Sequence, residues 1–300
     1  MARIGFVGLG HMGLPMAINL VKAGHIVTGF DLEQQAVVHL ATAGGLAAQS
    51  LKDAAVNQDV IITMLQSGSQ VQQVCLDDQG LFAHAVANSL YIDCSSIDVP
   101  SSRELHQQAM NHNLLVVDAP VSGGVAGAAA ATLTFMVGGQ EQSFDQAKPI
   151  LTAMGKKIIH TGPAGSGQAA KICNNMILGI SMIAISEAFI LAENLGLSAQ
   201  KLFEVVGNSS GQCWAMSQYV PVPGILPNVP ANRDYQPGFT SAMMLKDLKL
   251  SQSSASTVGI ETPLGAQATA IYQQFNDEGH KLLDFSAIIK ALAQGQYPHE

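Results

Sequence analysis

The run Ile4-Gly8 is short and apolar, and it passes directly into Gly8-Leu9-Gly10-His11-Met12-Gly13 and a helical pattern reaching Ala23. A G-x-G-x-x-G set between a strand and a helix constrains the fold more than any other feature of the chain. The first glycine permits the tight turn, the second lets backbone amides approach a pyrophosphate, and the third lets helix pack on strand. Amides at the helix N-terminus then face the anion. Glycine turns are common, but here the second β-rich run, His25-Phe30, ends in Asp31. At that spacing a carboxylate can accept hydrogen bonds from both adenosine ribose hydroxyls. Its charge repels a 2′-phosphate, and no Arg follows it, so the expected dinucleotide is NAD rather than NADP.

Five further apolar runs, Val60-Leu65, Leu90-Asp93, Leu114-Asp118, Leu133-Val137 and Lys157-His160, are bounded by turn residues and separated in most cases by helical patterns. Such alternation predicts an α/β unit, a doubly wound and mostly parallel sheet of the Rossmann type. After His160 the strand signals stop, and Thr161-Gly162-Pro163-Ala164-Gly165 marks a change of domain. The expected division is a dinucleotide-binding domain over residues 1–163 and an all-α domain over 164–300, opened by a long interdomain helix at about 167–195. Gln168 to Leu195 contains no Pro and only Gly179, enough for a helix of about 40 Å at about 1.5 Å per residue. Gly196 is a natural residue to end it. Apolar side chains occupy nearly its whole circumference, which predicts burial between domains or between subunits. Ser181, Ser186 and Glu187 interrupt its most apolar part, a poor profile for a bilayer span. From Ser198 onward the pattern is helical, with one irregular excursion from Tyr219 to Pro237.

Composition narrows the partners. Three hundred residues with 48% apolar and 12% charged side chains suit two packed domains, and the net charge of −8 comes without any Lys/Arg run. Neither nucleic acid nor a membrane surface is an expected partner. Cys75, Cys94, Cys173 and Cys213 form no CxxC pair, and each sits in a setting that suits a buried, reduced thiol. The chain enters its first strand at Met1-Ala2-Arg3-Ile4 with no export-signal pattern, so a cytoplasmic location is expected. Nine histidines show no HExxH, and His106 and His112 are too far apart for one helical turn, so no metal is expected.

Candidate chemistry clusters in the middle of the chain. Asp118-Ala119-Pro120-Val121-Ser122-Gly123-Gly124 follows a strand with backbone amides and a hydroxyl that can hold a carboxylate. In Gly165-Ser166-Gly167-Gln168-Ala169-Ala170-Lys171-Ile172-Cys173-Asn174-Asn175, Lys171 and Asn175 fall four apart on one helix face. The helix N-terminus and an apolar wall both favour the neutral amine, which suits Lys171 to proton transfer. Met64-Leu65 and Ser95-Ser96 stand just past strand ends, where doubly wound sheets keep ligands. Far downstream, Phe239 and Met243-Met244-Leu245-Lys246-Asp247-Leu248 offer an aromatic ring and a second lysine. Core packing for Phe239 and a surface charge pair for Lys246-Asp247 are equally open readings.

Together these residues resemble the β-hydroxyacid dehydrogenases over nearly the whole chain. The likeness runs through Gly8 to Ala17, Asp93-Cys94-Ser95-Ser96-Ile97, Asp118 to Gly124, Thr132 to Gly139, Lys171 to Asn175 and Lys246-Asp247-Leu248. Ser209-Ser210-Gly211-Gln212-Cys213-Trp214 and Tyr219 to Pro223 are similar to the branch acting on 3-hydroxyisobutyrate. The resemblance implies NAD-dependent oxidation of a small 3-hydroxycarboxylate, with Lys171 as proton relay and Asn175 placing it. It implies a substrate carboxylate at Ser122, Gly123 and Gly124, with Trp214 near the substrate. Gly8, Leu9, Gly10, His11, Met12 and Gly13 would hold the cofactor, with Asp31 on the adenosine ribose. Met64 and Leu65 would flank the adenine, Ser96 and Phe239 the nicotinamide half, and Lys246 would reach cofactor or substrate. A homodimer or homotetramer is implied, with the long helix as a shared spine. Serine, 3-hydroxypropionate, tartronate semialdehyde and glyoxylate remain alternative substrates, and a catalytically silent dinucleotide-binding protein is the alternative of another class. Three positions depart from the family pattern: Ser96 for Thr, Gln66 for Pro, expected to loosen the loop, and Ala131 for Gly. The last costs about 1 kcal/mol if the position needs positive φ.

Overall fold

The strands of the computed structural model are β1 (Arg3–Val7), β2 (Ile26–Phe30), β3 (Leu46–Ala47), β4 (Val60–Thr63), β5 (Leu90–Asp93), β6 (Leu115–Asp118), β7 (Val121–Ser122), β8 (Leu133–Gly139) and β9 (Gly155–Gly162). They form one sheet in the order β3-β2-β1-β4-β5-β6-β8-β7, with β9 beside β8. Strands β1 to β6 pair in parallel, whereas β8 runs antiparallel to both β6 and β7. The structure describes residues 1–295, so the last five residues of the expected second domain lie outside the described residues. It divides into two compact units, Met1–Lys171 and the residues from Ile172 onward.

All four residues of β4 and of β5 are buried, as expected of parallel strands covered on both faces. Successive side chains feed two cores. Ile4, Phe6, Ile62, Ile92 and Val117 pack with Met16 and Leu20, while Val7, Ile61, Tyr91 and Val116 pack with Val71 and Leu105. Register aligns the strand ends as well as the cores. Phe30 pairs with Val7, Val7 with Thr63, Thr63 with Asp93, and Asp93 with Asp118, so five strands end in one row. Every loop leaving these strands starts from the same edge.

All seven anticipated strands form, with ends shifted by only a few residues. The two unforeseen ones, β3 and β7, have two residues each, too few to show a period. The long helix runs Ser166–Asn194. It ends on Gly196 at φ +79°, with Leu197 N donating to Ala192 O and Gly196 N to Glu193 O. Those two bonds are a Schellman cap, the reason a glycine stands there. In the second unit Gly179 lets Leu248 and Met244 of the Ser241–Thr257 helix approach closely; a Cβ there would stand 3.0 Å from the Leu248 side chain. The helix is long and apolar enough to cross a membrane, yet Met182, Ile183, Ile185 and Phe189 belong to a packed protein core. Its circumference is not wholly covered in the single chain, where Ile177 and Leu191 are 62% and 60% exposed. Beyond it come Ala199–Gly207, Trp214–Gln218, Ser241–Thr257, Pro263–Phe275 and Ile288–Ala293, and the excursion after Tyr219 carries only a single 3₁₀ turn, Pro230–Arg233.

Cys75 and Cys94 are buried, but Cys173 is exposed, contrary to expectation, because it lies on an uncovered side of the long helix. All four thiols are free. Ala131 has φ +54°, the conformation in which a β-carbon is strained. It occupies the glycine position of a second Schellman cap, in which Thr132 N donates to Gly127 O at 2.9 Å. Ala131→Gly is therefore expected to raise unfolding free energy by up to about 1 kcal/mol, read as a higher urea midpoint at unchanged slope.

Candidate active site

The glycine loop leaves β1 with Gly8 at φ +95°. A Cβ on Gly8 would overlap the Met64 carbonyl oxygen, and one on Gly13 would overlap the Gly8 carbonyl oxygen; neither position admits a side chain. Gly10 differs, since nothing lies within 4 Å of where its Cβ would be. The tight turn, the open approach and the close helix contact required for a pyrophosphate are thus distributed over the three glycines as their spacing predicted. This loop fits a dinucleotide. Asp31 Oδ2 accepts from Leu9 N at 2.6 Å and Oδ1 from Glu33 N at 2.8 Å, so the same carboxylate ties the loop to the end of β2. A carboxylate's remaining lone pairs suffice for ribose hydroxyls.

Along the row of strand ends, side chains connect loop to loop. Leu65 N donates to Ser95 Oγ at 2.9 Å, and Ser95 O accepts from the Gln168 amide at 2.7 Å. Gln168 Oε1 accepts from Ile97 N at 3.1 Å, and Gln168 N donates to Asp118 Oδ2 at 2.9 Å. Asp118 Oδ1 also takes Gly165 N at 2.8 Å and stands 2.9 Å from His106 Nε2. A carboxylate from β6 therefore caps the long helix from outside, at the end where the helix dipole favours negative charge. The approach is close. A Cβ on Gly138 would lie 2.5 Å from Asp118 Oδ1, and one on Gly167 would lie 2.7 Å from Oδ2.

The first unit thus brings Gly8 to Gly13, Asp31, Met64, Leu65, Ser96, Ser122, Gly123, Gly124 and Lys171 onto elements that leave the C-terminal edge of the sheet or begin the helix capped there. Lys171 is 8% exposed, a buried rather than a solvated lysine. Gly123 has φ +138° and Gly124 φ +62°, which accounts for the glycine pair after Ser122. Gln66, expected to loosen its loop, donates its N–H to Gln70 Oε1 at 3.1 Å, a bond that proline could not make.

In the second unit Asn175 donates to the Asp247 carboxylate and its Oδ1 accepts from Asn174. Asp247 is buried, so Lys246-Asp247 is not a surface charge pair. Trp214 stacks on Tyr219 at 5.0 Å, Tyr219 on Phe285 at 5.4 Å, and Phe239 meets the Phe285 edge at 5.8 Å. Two separately predicted residues, Trp214 and Phe239, are joined in one aromatic ladder. Asp284 anchors it, accepting from Tyr219 Oη, Gly238 N and Phe239 N. Burial, and then the neighbouring Asp284, push the Tyr219 phenol well up, so it stays a donor. Gln168, Asp247 and Asp284 were not singled out from the sequence as site residues. Each is a buried polar residue, and no local pattern names its partner until the fold supplies one.

Comparison with known proteins places this geometry. Residues 3–162 match the family described as the NAD binding domain of 6-phosphogluconate dehydrogenase. Residues 165–292 match the one described as NAD-binding of NADP-dependent 3-hydroxyisobutyrate dehydrogenase. A Mycobacterium tuberculosis 3-hydroxyisobutyrate dehydrogenase solved with L-serine is 50% identical, with a TM-score of 0.93 over 97% of this chain and 99% of that one. An NAD-dependent L-serine dehydrogenase of Pseudomonas aeruginosa is 46% identical over 99% of this chain and 100% of its own. A 3-hydroxyisobutyrate dehydrogenase of the same organism is 45% identical, covering 97% of this chain and 98% of its own. Fold and glycine loop define a dinucleotide-dependent dehydrogenase. The chain belongs to the β-hydroxyacid dehydrogenases of the 3-hydroxyisobutyrate dehydrogenase type, and its cofactor is NAD.

Behind the site, the Cys75 thiol and the Tyr91 and Thr63 hydroxyls form a buried hydrogen-bonded chain ending on Asp93 Oδ1, while Asp93 Oδ2 has no hydrogen-bond partner among the described residues. Burial pushes the Asp93 carboxyl up from 3.8 to about 6. The folded state therefore favours the neutral acid, and the associated stability is present in acid and lost as pH rises through about 6. Asp93→Asn keeps the acceptor for Thr63 and carries no charge. Relative to the parent it should gain on the order of 2 kcal/mol between about pH 4 and pH 8, measured by urea unfolding at both.

Proposed function

We propose that the chain oxidises 3-hydroxyisobutyrate to methylmalonate semialdehyde. The observation that carries the chemistry is Lys171, a buried lysine in the second turn of a helix whose start is fastened to the sheet by Asp118 and Gln168. Bound NAD supplies the hydride acceptor. Lys171 as the neutral amine takes the proton of the substrate hydroxyl as the carbinol hydride departs, leaving the aldehyde and an ammonium; in reduction it returns that proton. Asn175, held by Asp247, places the relay. Ser122, Gly123 and Gly124 hold the substrate carboxylate, and Trp214 selects the substituent. Gly8, Leu9, Gly10, His11, Met12, Gly13, Asp31, Met64, Leu65, Ser96, Phe239 and Lys246 bind the cofactor. The working division is a cofactor domain over residues 1–163 and a substrate and oligomerisation domain over 164–300.

Similarity to the 3-hydroxyisobutyrate dehydrogenases supports that substrate, while the L-serine named for two of the relatives supports L-serine as the second reading. A panel of 3-hydroxyisobutyrate, L-serine, 3-hydroxypropionate and glycerate, followed by NADH absorbance, separates them. The highest kcat/KM is expected for 3-hydroxyisobutyrate, and a higher value for L-serine moves the assignment to the second reading. Lys171→Ala should lose about 10²–10⁴-fold in kcat with NAD affinity little changed. Near-normal turnover would remove the lysine from the mechanism.

The same reading includes a cytoplasmic enzyme assembled as a homodimer or homotetramer. The exposed side chains of Ile177 and Leu191, two multiples of seven apart along the long helix, give a second copy an apolar stripe to cover. Leu191→Glu is expected to lower the sedimentation mass toward that of the monomer.

A further inference from the structure

Gln168 is fully buried and uses both ends of its side-chain amide on the two peptide groups that flank Ser96. Nε2 donates to Ser95 O at 2.7 Å, and Oε1 accepts from Ile97 N at 3.1 Å. A carboxamide is the neutral side-chain end that offers a strong donor and a strong acceptor in one plane, so it closes on a backbone segment as a neighbouring strand would. Its own N–H is fixed by Asp118, and that carboxylate is itself 1% exposed and held by Gly165 N and His106. One turn further along the helix, at i+3, stands Lys171. Ser95 in turn holds Leu65 N, on the loop after β4.

We propose that Gln168 is a positioning residue for the redox step, holding the Ser95–Ile97 segment, and with it Ser96, in fixed relation to Lys171. Cofactor loop and relay lysine are then set by one side chain, the hydride and proton paths sharing a rigid support. A helix packed on the sheet by apolar contacts alone could slide by a fraction of an ångström along its axis. The paired amide bonds oppose that slide, because both lengthen together. Misplacement on the order of 1 Å at a reacting centre can cost about 10²-fold in rate. The inference rests on the proposed role of Lys171 and Ser96.

Three variants test it. Gln168→Leu removes both bonds and is expected to lower kcat about 10–100-fold while leaving the dissociation constant of ADP-ribose, a probe of the adenosine half, within about threefold. Gln168→Glu supplies a sharper readout. Its carboxylate accepts from Ile97 N but repels the Ser95 carbonyl, whereas the protonated acid restores both bonds, its O–H donating to Ser95 O. Its kcat for oxidation, taken as a ratio to that of the parent at each pH, should therefore rise as pH falls. A folded Gln168→Leu with parental kcat, or Gln168→Glu following the parent's pH trend, overturns the proposal. Should Gln168→Leu fail to fold, the pH profile of Gln168→Glu decides alone. Lys171→Ala measured alongside separates the two claims. If it keeps turnover, the relay reading fails. If it is inactive while both Gln168 variants behave as the parent, only the positioning role fails.

Discussion

The carboxylate of Asp118 is the interaction on which the rest of the site depends. It stands at the last residue of β6 and takes the backbone N–H groups of Gly165 and Gln168, with His106 as third partner. A helix start leaves amides without intrahelical acceptors, and burying them unpaired would cost about 1–3 kcal/mol each. Asp118 answers that need from another element, and so determines where the helix begins in space. The compact first unit accordingly extends to Lys171, past the Gly-Pro-Ala-Gly turn, because the first turns of the helix belong physically to the sheet.

Sheet register acts in the same way on a larger scale. Phe30, Val7, Thr63, Asp93 and Asp118 lie in one row, so Asp31, the glycine loop, Met64, Ser96 and the approach to Ser122 all depart from one edge. Strand order reverses at β1, with β2 on one side and β4 on the other. Open sheets of this kind keep ligands at the point of reversal, where loops on either side diverge and leave a crevice. Small residues serve that arrangement locally: Gly138 and Gly167 admit the Asp118 carboxylate, Gly8 admits the Met64 carbonyl, and Gly13 admits that of Gly8.

Much of the fold was legible because its signals are local. Seven strands, the long helix, its glycine stop and the irregular excursion follow from periodicity, turn residues and caps. Strands β3 and β7, two residues each, carry no period, and the antiparallel entry of β8 depends on pairing rather than on any local pattern. Candidate residues in recognisable motifs, among them Gly8, Asp31, Ser122, Lys171 and Asn175, were also visible in advance. Their supports were not. Asp247 reads as half of a surface charge pair and Cys173 as a buried thiol, until a partner more than 40 residues away, or a bare helix face, gives each a different place; Gln168 and Asp284 draw no reading at all until their distant partners are in place.

By itself the sequence determined the alternation of strand and helix, the dinucleotide loop and the acidic residue after the second strand, since each rests on residues near it in the chain. Tertiary structure alone decided which carboxylate caps the long helix, which amide braces Ser96, and that Trp214 and Phe239 share one aromatic ladder. The reason is physical. A backbone conformation is largely set by the residues beside it, but a buried polar group is satisfied by whatever partner the completed fold delivers, and no spacing in the chain specifies that partner.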